Sequence, residues 1–192
     1  MADRNSKIRI SLPVTENDFI QANDIINCQV VRDSDWGIDY FKSLSVGEML
    51  IAKIGPDIVG VIVQRYPGRI FEEMEDKYFS LDKIICDKKN YGYVVLIAVH
   101  EKYQGMGIGK KLLKKSLIEQ KNIGAKAVGV HCWQSSPGNA SQKLFESFGF
   151  EPLKLHKKTW YEHSKKVGID NFECTVCGNP CSCDDFEMIK YI

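Results

Sequence analysis

Ile8, Ile10 and Leu12 alternate with polar neighbours, the period of a half-buried strand, and Pro13 stops the run. Thr15 with Asp18 three residues on has the form of a capping box, and Phe19, Ile20, Ile25 and Ile26 give the helix behind it an apolar face. Trp36, Tyr40, Phe41 and Leu44 fit one side of a second helix. Two apolar, β-rich runs, 49–54 and 58–66, flank Gly55-Pro56-Asp57 and predict an antiparallel hairpin. Residues 91–99 are apolar on both faces and predict a central strand. After it, Ile108, Leu112, Leu113 and Leu117 share one helical side, with Lys110, Lys111, Lys114 and Lys115 largely on the other and Gly124 as the stop. A strand over 127–133, a helix over 139–148 and strands near 151–155 and 186–192 complete the outline. The class is α/β, a mixed central sheet flanked by helices.

Two segments interrupt the alternation. Residues 67–90 are long for a connection and carry Glu72, Glu73, Glu75 and Asp76, an acidic insertion that is either a solvated surface or a lure for a cationic substrate. Residues 156–185 hold four of the seven cysteines. With 192 residues, one domain spanning 1–192 and including both insertions is the expectation.

Composition narrows the partners. Lys and Arg number 26 against 25 for Asp and Glu, a net charge of +1, which argues against a broad polyanion surface and therefore against nucleic acid. The longest aliphatic run, 94–99, falls far short of the ~20 residues that span a bilayer, and the polar start lacks a secretory core, so no membrane partner and a cytoplasmic location are expected.

The turn Gln104-Gly105-Met106-Gly107-Ile108-Gly109 passes from the central strand into a helix. Such a turn presents unpaired N–H groups at the positive end of the helix dipole, where phosphates bind, and glycine lets them approach. The spacing fits neither a Walker A loop nor a Gly-x-Gly-x-x-Gly dinucleotide fingerprint. Taken alone it is an anion site or a structural turn.

Gln104-x-x-Gly107-x-Gly109, with a strand before it and Leu144-Phe145-x-x-x-Gly149-Phe150 after it, resembles the acetyl-CoA signature of the GCN5-related N-acetyltransferases (GNAT). The resemblance covers most of 8–155 and extends to a last strand at 186–192. It implies the GNAT fold and direct transfer of acetyl from acetyl-CoA to a primary amine of a small molecule or protein. It also implies that Gln104, Gly105, Met106, Gly107, Ile108, Gly109 and Lys110 wrap the pyrophosphate, that the backbone of Ile97 and Val99 holds the pantetheine arm, and that Asn139 and Phe145 border arm and thioester. A homodimer is compatible with it. The acceptor pocket would be built from the loop 33–44, the acidic insertion and the cysteine loop.

The pattern also departs from the family. The two positions that often carry the base hold Tyr93 and Val95, the position of the leaving-group tyrosine holds Phe145, and Gly138 stands where an Asn is common, with Asn139 one later. A catalytically degenerate CoA-binding sensor is therefore the alternative function. His131, late in a strand bordering the cofactor, is a candidate proton carrier or a packed histidine, and Tyr93 is the other catalytic candidate. Cys132, in an apolar strand, reads as a small hydrophobe.

Cys174, Cys177, Cys181 and Cys183 lie within ten residues, with Gly178 free to turn sharply. This pattern suits a tetrahedral, structural Zn2+; an iron-sulfur centre, a redox dithiol or free thiols are the alternatives. Four thiolates leave no open position for catalysis. The loop is either a wall of the acceptor pocket, with Trp160, Tyr161 and His163 to line it, or a stabilised loop remote from substrate.

Overall fold

A computed structural model describes residues 7–134 and 137–192. In chain order the strands and helices are β1 (Arg9–Ser11), α1 (Glu16–Gln29), β2 (Val31–Asp33), α2 (Ile38–Ser43), β3 (Met49–Ile54), β4 (Asp57–Arg65), α3 (Ile70–Glu73), β5 (Tyr91–Val99), α4 (Ile108–Asn122), β6 (Ala127–Trp133), α5 (Ala140–Glu146), β7 (Glu151–His156), α6 (Tyr161–Val167), β8 (Phe172–Cys174) and β9 (Asp185–Tyr191). Seven strands form one mixed sheet in the order β1-β3-β4-β5-β6-β9-β7, with β5 at its centre, and β2 pairs with β8 in a separate ribbon. The expected α/β class and helix-flanked mixed sheet are present.

The helices divide the faces. On one, Ala22, Ile25 and Ile26 of α1 and Phe41 of α2 pack on Ile51, Val61, Val63, Leu96 and Ala98. On the other, Ile108, Leu112 and Leu113 of α4 and Phe145 of α5 pack on Leu50, Ala52, Ile62, Val94, Val128 and Val130. Odd and even positions of β3, and of β4 from Gly60 onward, thus face different helices, which explains their unbroken apolar runs. A Cβ at Gly60 would lie 2.9 Å from Ile108 Cγ2, so the bare glycine lets α4 approach β4.

The Thr15–Asp18 box caps α1, as the spacing predicts: the Thr15 hydroxyl accepts from the Asp18 N–H and the Asp18 carboxylate accepts from the Thr15 N–H. Burial would raise the Asp18 pKa, but Lys53 at 2.6 Å and the N–H groups of Val14 and Thr15 hold it at about 2.

Most sequence boundaries lie within a residue or two of the observed ones. Four elements lie outside the expectations. The helix α3 sits in the acidic segment, the strand β2 follows α1 directly, and β8 and α6 sit in the segment of the cysteines. The strands β2 and β8 are short and take their stability from one another, because Val31 pairs with Cys174 and Asp33 with Phe172.

The acidic segment folds onto the sheet. Ile70, Phe71 and Phe79 pack on Tyr91, Tyr93, Ala127 and Ile189. Glu73 pairs with Arg65, Glu75 with Lys77 and Asp76 with Lys88. Three of its four highlighted acids are thus already matched by protein cations.

Candidate functional site

The site begins with an irregularity in β5. Between the pairs Val63–Leu96 and Gln64–Val94 the register slips by one, leaving Val95 as a bulge. A one-residue bulge reverses which face each side chain takes. Accordingly Val94 joins the α4 side, Leu96 and Ala98 the α1 side, and Ile97 and Val99 the α4 side again. The parallel pairing of β5 with β6 runs from Tyr91–Ala127 to Val94–Val130 and ends there, at the bulge. Beyond it the two strands are no longer paired, and among the described residues the edge of β5 from Val95 to Val99 has no strand opposite it on the β6 side.

The glycine turn stands at the end of this gap. Gly105 and Gly107 both have φ of +77°, a left-handed conformation that side chains disfavour, and an added Cβ on either would meet nothing within 4 Å. Gly107 is the N-cap of α4 and has no side chain to occupy the first amides of the helix. The turn therefore opens its N–H groups onto free space at the positive end of a 15-residue helix, the geometry of an anion cradle. The Gln104 amide donates to Val99 O and to Gln29 Oε1, tying the turn to β5 and α1. Lys110 is exposed on the first turn of α4, whereas Ile108 is a core residue whose contribution to the cradle is its backbone. Asn139, at φ +52°, is the N-cap of α5 and makes no side-chain capping bond. Phe145, expected at the thioester, is only 2 % exposed and packs edge-on against Phe150 at 4.9 Å, so its ring belongs to the core.

On the α1 side of the gap is a cavity of about 110 Å3. Tyr93, Val95 and Leu96 come to it from β5, His131 and Trp133 from β6, Asp33 from β2, Trp36 from the following loop, and Asp185 from β9. The cysteine segment closes it with Trp160, Phe172, Cys174 and Cys181. Tyr161 and His163, expected beside Trp160, do not line it; His163 instead lies 3.7 Å from Asp33 and packs on Phe172.

Tyr93 and His131 meet here. The Tyr93 hydroxyl is 2.6 Å from His131 Nδ1, and His131 Nε2 is 2.8 Å from the carbonyl of Tyr78. A carbonyl can only accept, so Nε2 carries the proton and Nδ1 accepts from Tyr93. Burial holds the His131 pKa down to about 4 and pushes that of Tyr93 well up, so both rest neutral. Behind them His156 Nε2 is 2.9 Å from Glu187, which also accepts from the Ser80 N–H and hydroxyl. His131, His156 and Glu187 could converge on a cation, but each already has protein partners, and the trio reads as a polar brace under the cavity.

Asp185 differs from its neighbours. It is 3 % exposed, and its Oδ2 has no hydrogen-bond partner among the described residues. Burial raises its pKa to about 6, against the pull of Thr159, Trp160 and His156. The sequence carried no local signal for it beyond an acid opening an apolar strand. Cys132 is pushed by burial to about 12 and is no nucleophile.

The four clustered cysteines converge. Their Sγ atoms all lie within 4.8 Å of one another, with separations of 3.7 Å for Cys174–Cys183, 3.6 Å for Cys177–Cys181 and 3.3 Å for Cys177–Cys183. Zn–S bonds of about 2.3 Å in a tetrahedron set sulfurs about 3.8 Å apart, so the donor set fits that ion. The Ser182 N–H donates to Cys177 Sγ, and a hydrogen bond from Cys181 outweighs burial to hold Cys174 at about 5. Thr175 anchors the loop through its N–H and hydroxyl to Val30 O, and Gly178, at φ +71°, makes the sharp turn.

No helix among the described residues is long and apolar enough to cross a membrane. The profile of the Acetyltransferase (GNAT) domain matches residues 45–152. GCN5-related N-acetyltransferase 4, chloroplastic, of Arabidopsis thaliana is 36% identical over 69 residues, which are 35% of this chain and 23% of that protein. The chain thus spans under a quarter of that relative's length. A Bacillus subtilis acetyltransferase solved with CoA superposes with a TM-score of 0.65 at 20% identity, covering 97% of this chain and 99% of that one. The IAA acetyltransferase of Bacillus cereus superposes with a TM-score of 0.62 at 18% identity, covering 97% and 100%. A bulged central strand that parts from its parallel neighbour, a left-handed glycine turn capping the next helix, and a profile match over more than half of the chain agree: the protein belongs to the GNAT acetyltransferase family.

Proposed function

We propose that the protein moves the acetyl group of acetyl-CoA directly to a primary amine of a small molecule or protein. The observation that carries this reading is the pairing of two empty spaces across one strand: the cradle at Gly105 and Gly107 at the end of β5, and the cavity at Tyr93 and His131 beside its bulge. The amides of residues 105–110 hold the pyrophosphate, with Gln104 bracing the turn and Lys110 adding charge. The free edge of β5 at Ile97 and Val99 pairs with the amide-rich pantetheine arm, and Asn139 borders its path.

The acceptor, having released its ammonium proton to solvent, attacks the thioester carbon as the neutral amine, the C–N bond forms, and the oxyanion draws on backbone N–H groups of the open β5 edge. Attack turns the nitrogen into an acidic, ammonium-like centre. Its proton passes to the Tyr93 oxygen as the hydroxyl proton passes to His131 Nδ1, a relay suited to a weakly basic imidazole because the donor is by then a strong acid. The C–S bond then breaks. With no hydroxyl at Phe145, CoA leaves as thiolate, which is tolerable because the ordinary thiol value is only about 8.5. A CoA sensor is the weaker reading, since it has no use for a proton relay in a cavity beside the cradle.

Cys174, Cys177, Cys181 and Cys183 hold a structural Zn2+ that fixes the cavity wall bearing Cys174 and Cys181. Calorimetry with CoA and a thiol-release assay on an amine panel test the function. Saturable CoA binding with amine-dependent thiol release is expected. Binding without release from any amine would leave only the sensor.

A further inference from the structure

We propose that Asp185, in the cavity shared by the three tryptophans, is the specificity-determining residue for an acceptor bearing an unbranched alkylammonium group. This rests on the acetyl-transfer reading and narrows it to a substrate class.

The reasoning starts from the bare oxygen. Buried polar atoms in folded proteins almost always have a partner, and Asp185 Oδ2 has none among the described residues although the side chain lines the cavity. Thr159 and Trp160 direct side-chain hydrogen bonds at Asp185 yet leave Oδ2 without a partner, and the other polar groups nearby are engaged elsewhere. His156, opposite Asp185 in the β7–β9 register, gives its Nε2 to Glu187. His131 is held between Tyr93 and Tyr78. Asp184 accepts from the Lys158 N–H, and His163 is turned to Asp33. No lysine or arginine lines the cavity among the described residues, and Asp33 and Asp185 are the carboxylates of its wall.

The rest of the wall suits a cation. The sequence contains three tryptophans, and all of them, Trp36, Trp133 and Trp160, border this one space. Indole faces attract ammonium ions, most strongly where water is excluded, and a compact –NH3+ offers three donors to an oxygen that lacks one. The cavity, of about 110 Å3 and lined mainly by apolar side chains, admits a slender alkyl chain behind the ammonium. An α-amino acid would bring its own carboxylate toward Asp33 and Asp185 and be repelled. The shared chemistry is that of a free alkylamine or of a lysine side chain on a peptide.

The test uses the full chain with its zinc. 1-Aminobutane and its neutral isostere 1-butanol are titrated without CoA while tryptophan emission is followed, since every tryptophan lies at the cavity. The amine is expected to bind at least tenfold more tightly, and Asp185→Asn to erase the difference while CoA affinity stays unchanged. Equal responses to amine and alcohol in the wild-type protein overturn the inference, whether or not the variant folds. In the thiol-release assay, 1-aminobutane, 1,4-diaminobutane, a lysine-containing peptide and glycine are compared. Transfer to the free amines or to the peptide supports the proposal and separates the two sources, with KM raised about tenfold and kcat changed less in Asp185→Asn. Transfer to glycine alone overturns it. Failure to bind CoA would bring down the acetyl-transfer reading by itself, and the titration would still decide the cation site.

Discussion

The cradle and the cavity lie on either side of one bulge and are built on different principles. The cradle is continuous in sequence: β5, the glycine turn and the first turn of α4 form it almost alone, and its working groups are backbone amides. The cavity gathers side chains from β2, β5, β6, β9 and the cysteine segment, whose sequence positions run from Val30 to Asp185. The GNAT profile at 45–152 contains the whole cradle, but leaves out Asp33, Trp36, Trp160, Phe172, Cys174, Cys181 and Asp185 of the cavity. A backbone site survives wide changes of side chain, whereas an acceptor site can be rebuilt from whatever the flanking segments bring. That division fits a chain that shares a fold with structures at 20% identity and below.

The sharpest break of this contrast is Gly107→Glu. A side chain at φ +77° strains the turn and places an anion at the helix terminus, so CoA affinity should fall by about a hundredfold or more in calorimetry while the tryptophan response to amines persists. A loss of both would mean that the two regions are not independent. Next comes Tyr93→Phe, which removes the hydroxyl between cavity and His131; kcat should drop by about ten- to a hundredfold, with CoA affinity unchanged. A drop in CoA affinity instead would assign Tyr93 to the cradle.

Cys177→Ala should release the metal, measured by mass spectrometry or a zinc dye, and raise the acceptor KM by about tenfold without touching CoA affinity, since Cys174 and Cys181 line the cavity. Unchanged kinetics in folded, zinc-free protein would remove the wall from the acceptor site. The smallest effect is on stability. His131 is neutral and buried in the folded chain with its pKa depressed from 6.5 to about 4, so the unfolded chain takes up a proton first as pH falls. Its stabilising contribution is complete above pH 6.5 and is lost toward pH 4, with a slope of about 1.4 kcal/mol per pH unit for one proton. Denaturant titrations between pH 7 and 5 should show the decline, and His131→Asn should flatten it.

Local patterns were legible because their causes are local. The Thr15–Asp18 cap, the Ile108-Leu112-Leu113 stripe, the glycine turn and the cysteine spacing each follow from a helical period, a φ requirement or a ligand count. The expectation that Tyr161 and His163 line the cavity with Trp160 did not follow, and the burial of the Phe145 ring in the core was not legible. A strand partner or a core neighbour decides on which side such a residue lies, and spacing along the chain does not carry that information.

By itself, then, the sequence determined the main-sheet strands with the helices α1, α2, α4 and α5, the glycine turn and the clustering of four thiols, because these depend on contacts only a few residues apart. Tertiary structure alone decided that a slipped register at Val95 would part β5 from β6, that β2 would find β8 some 140 residues later, and that Tyr93 and His131 would meet with Asp185 at the same opening. Such pairings require a distant partner to be in place first, and the chain specifies that partner only by folding.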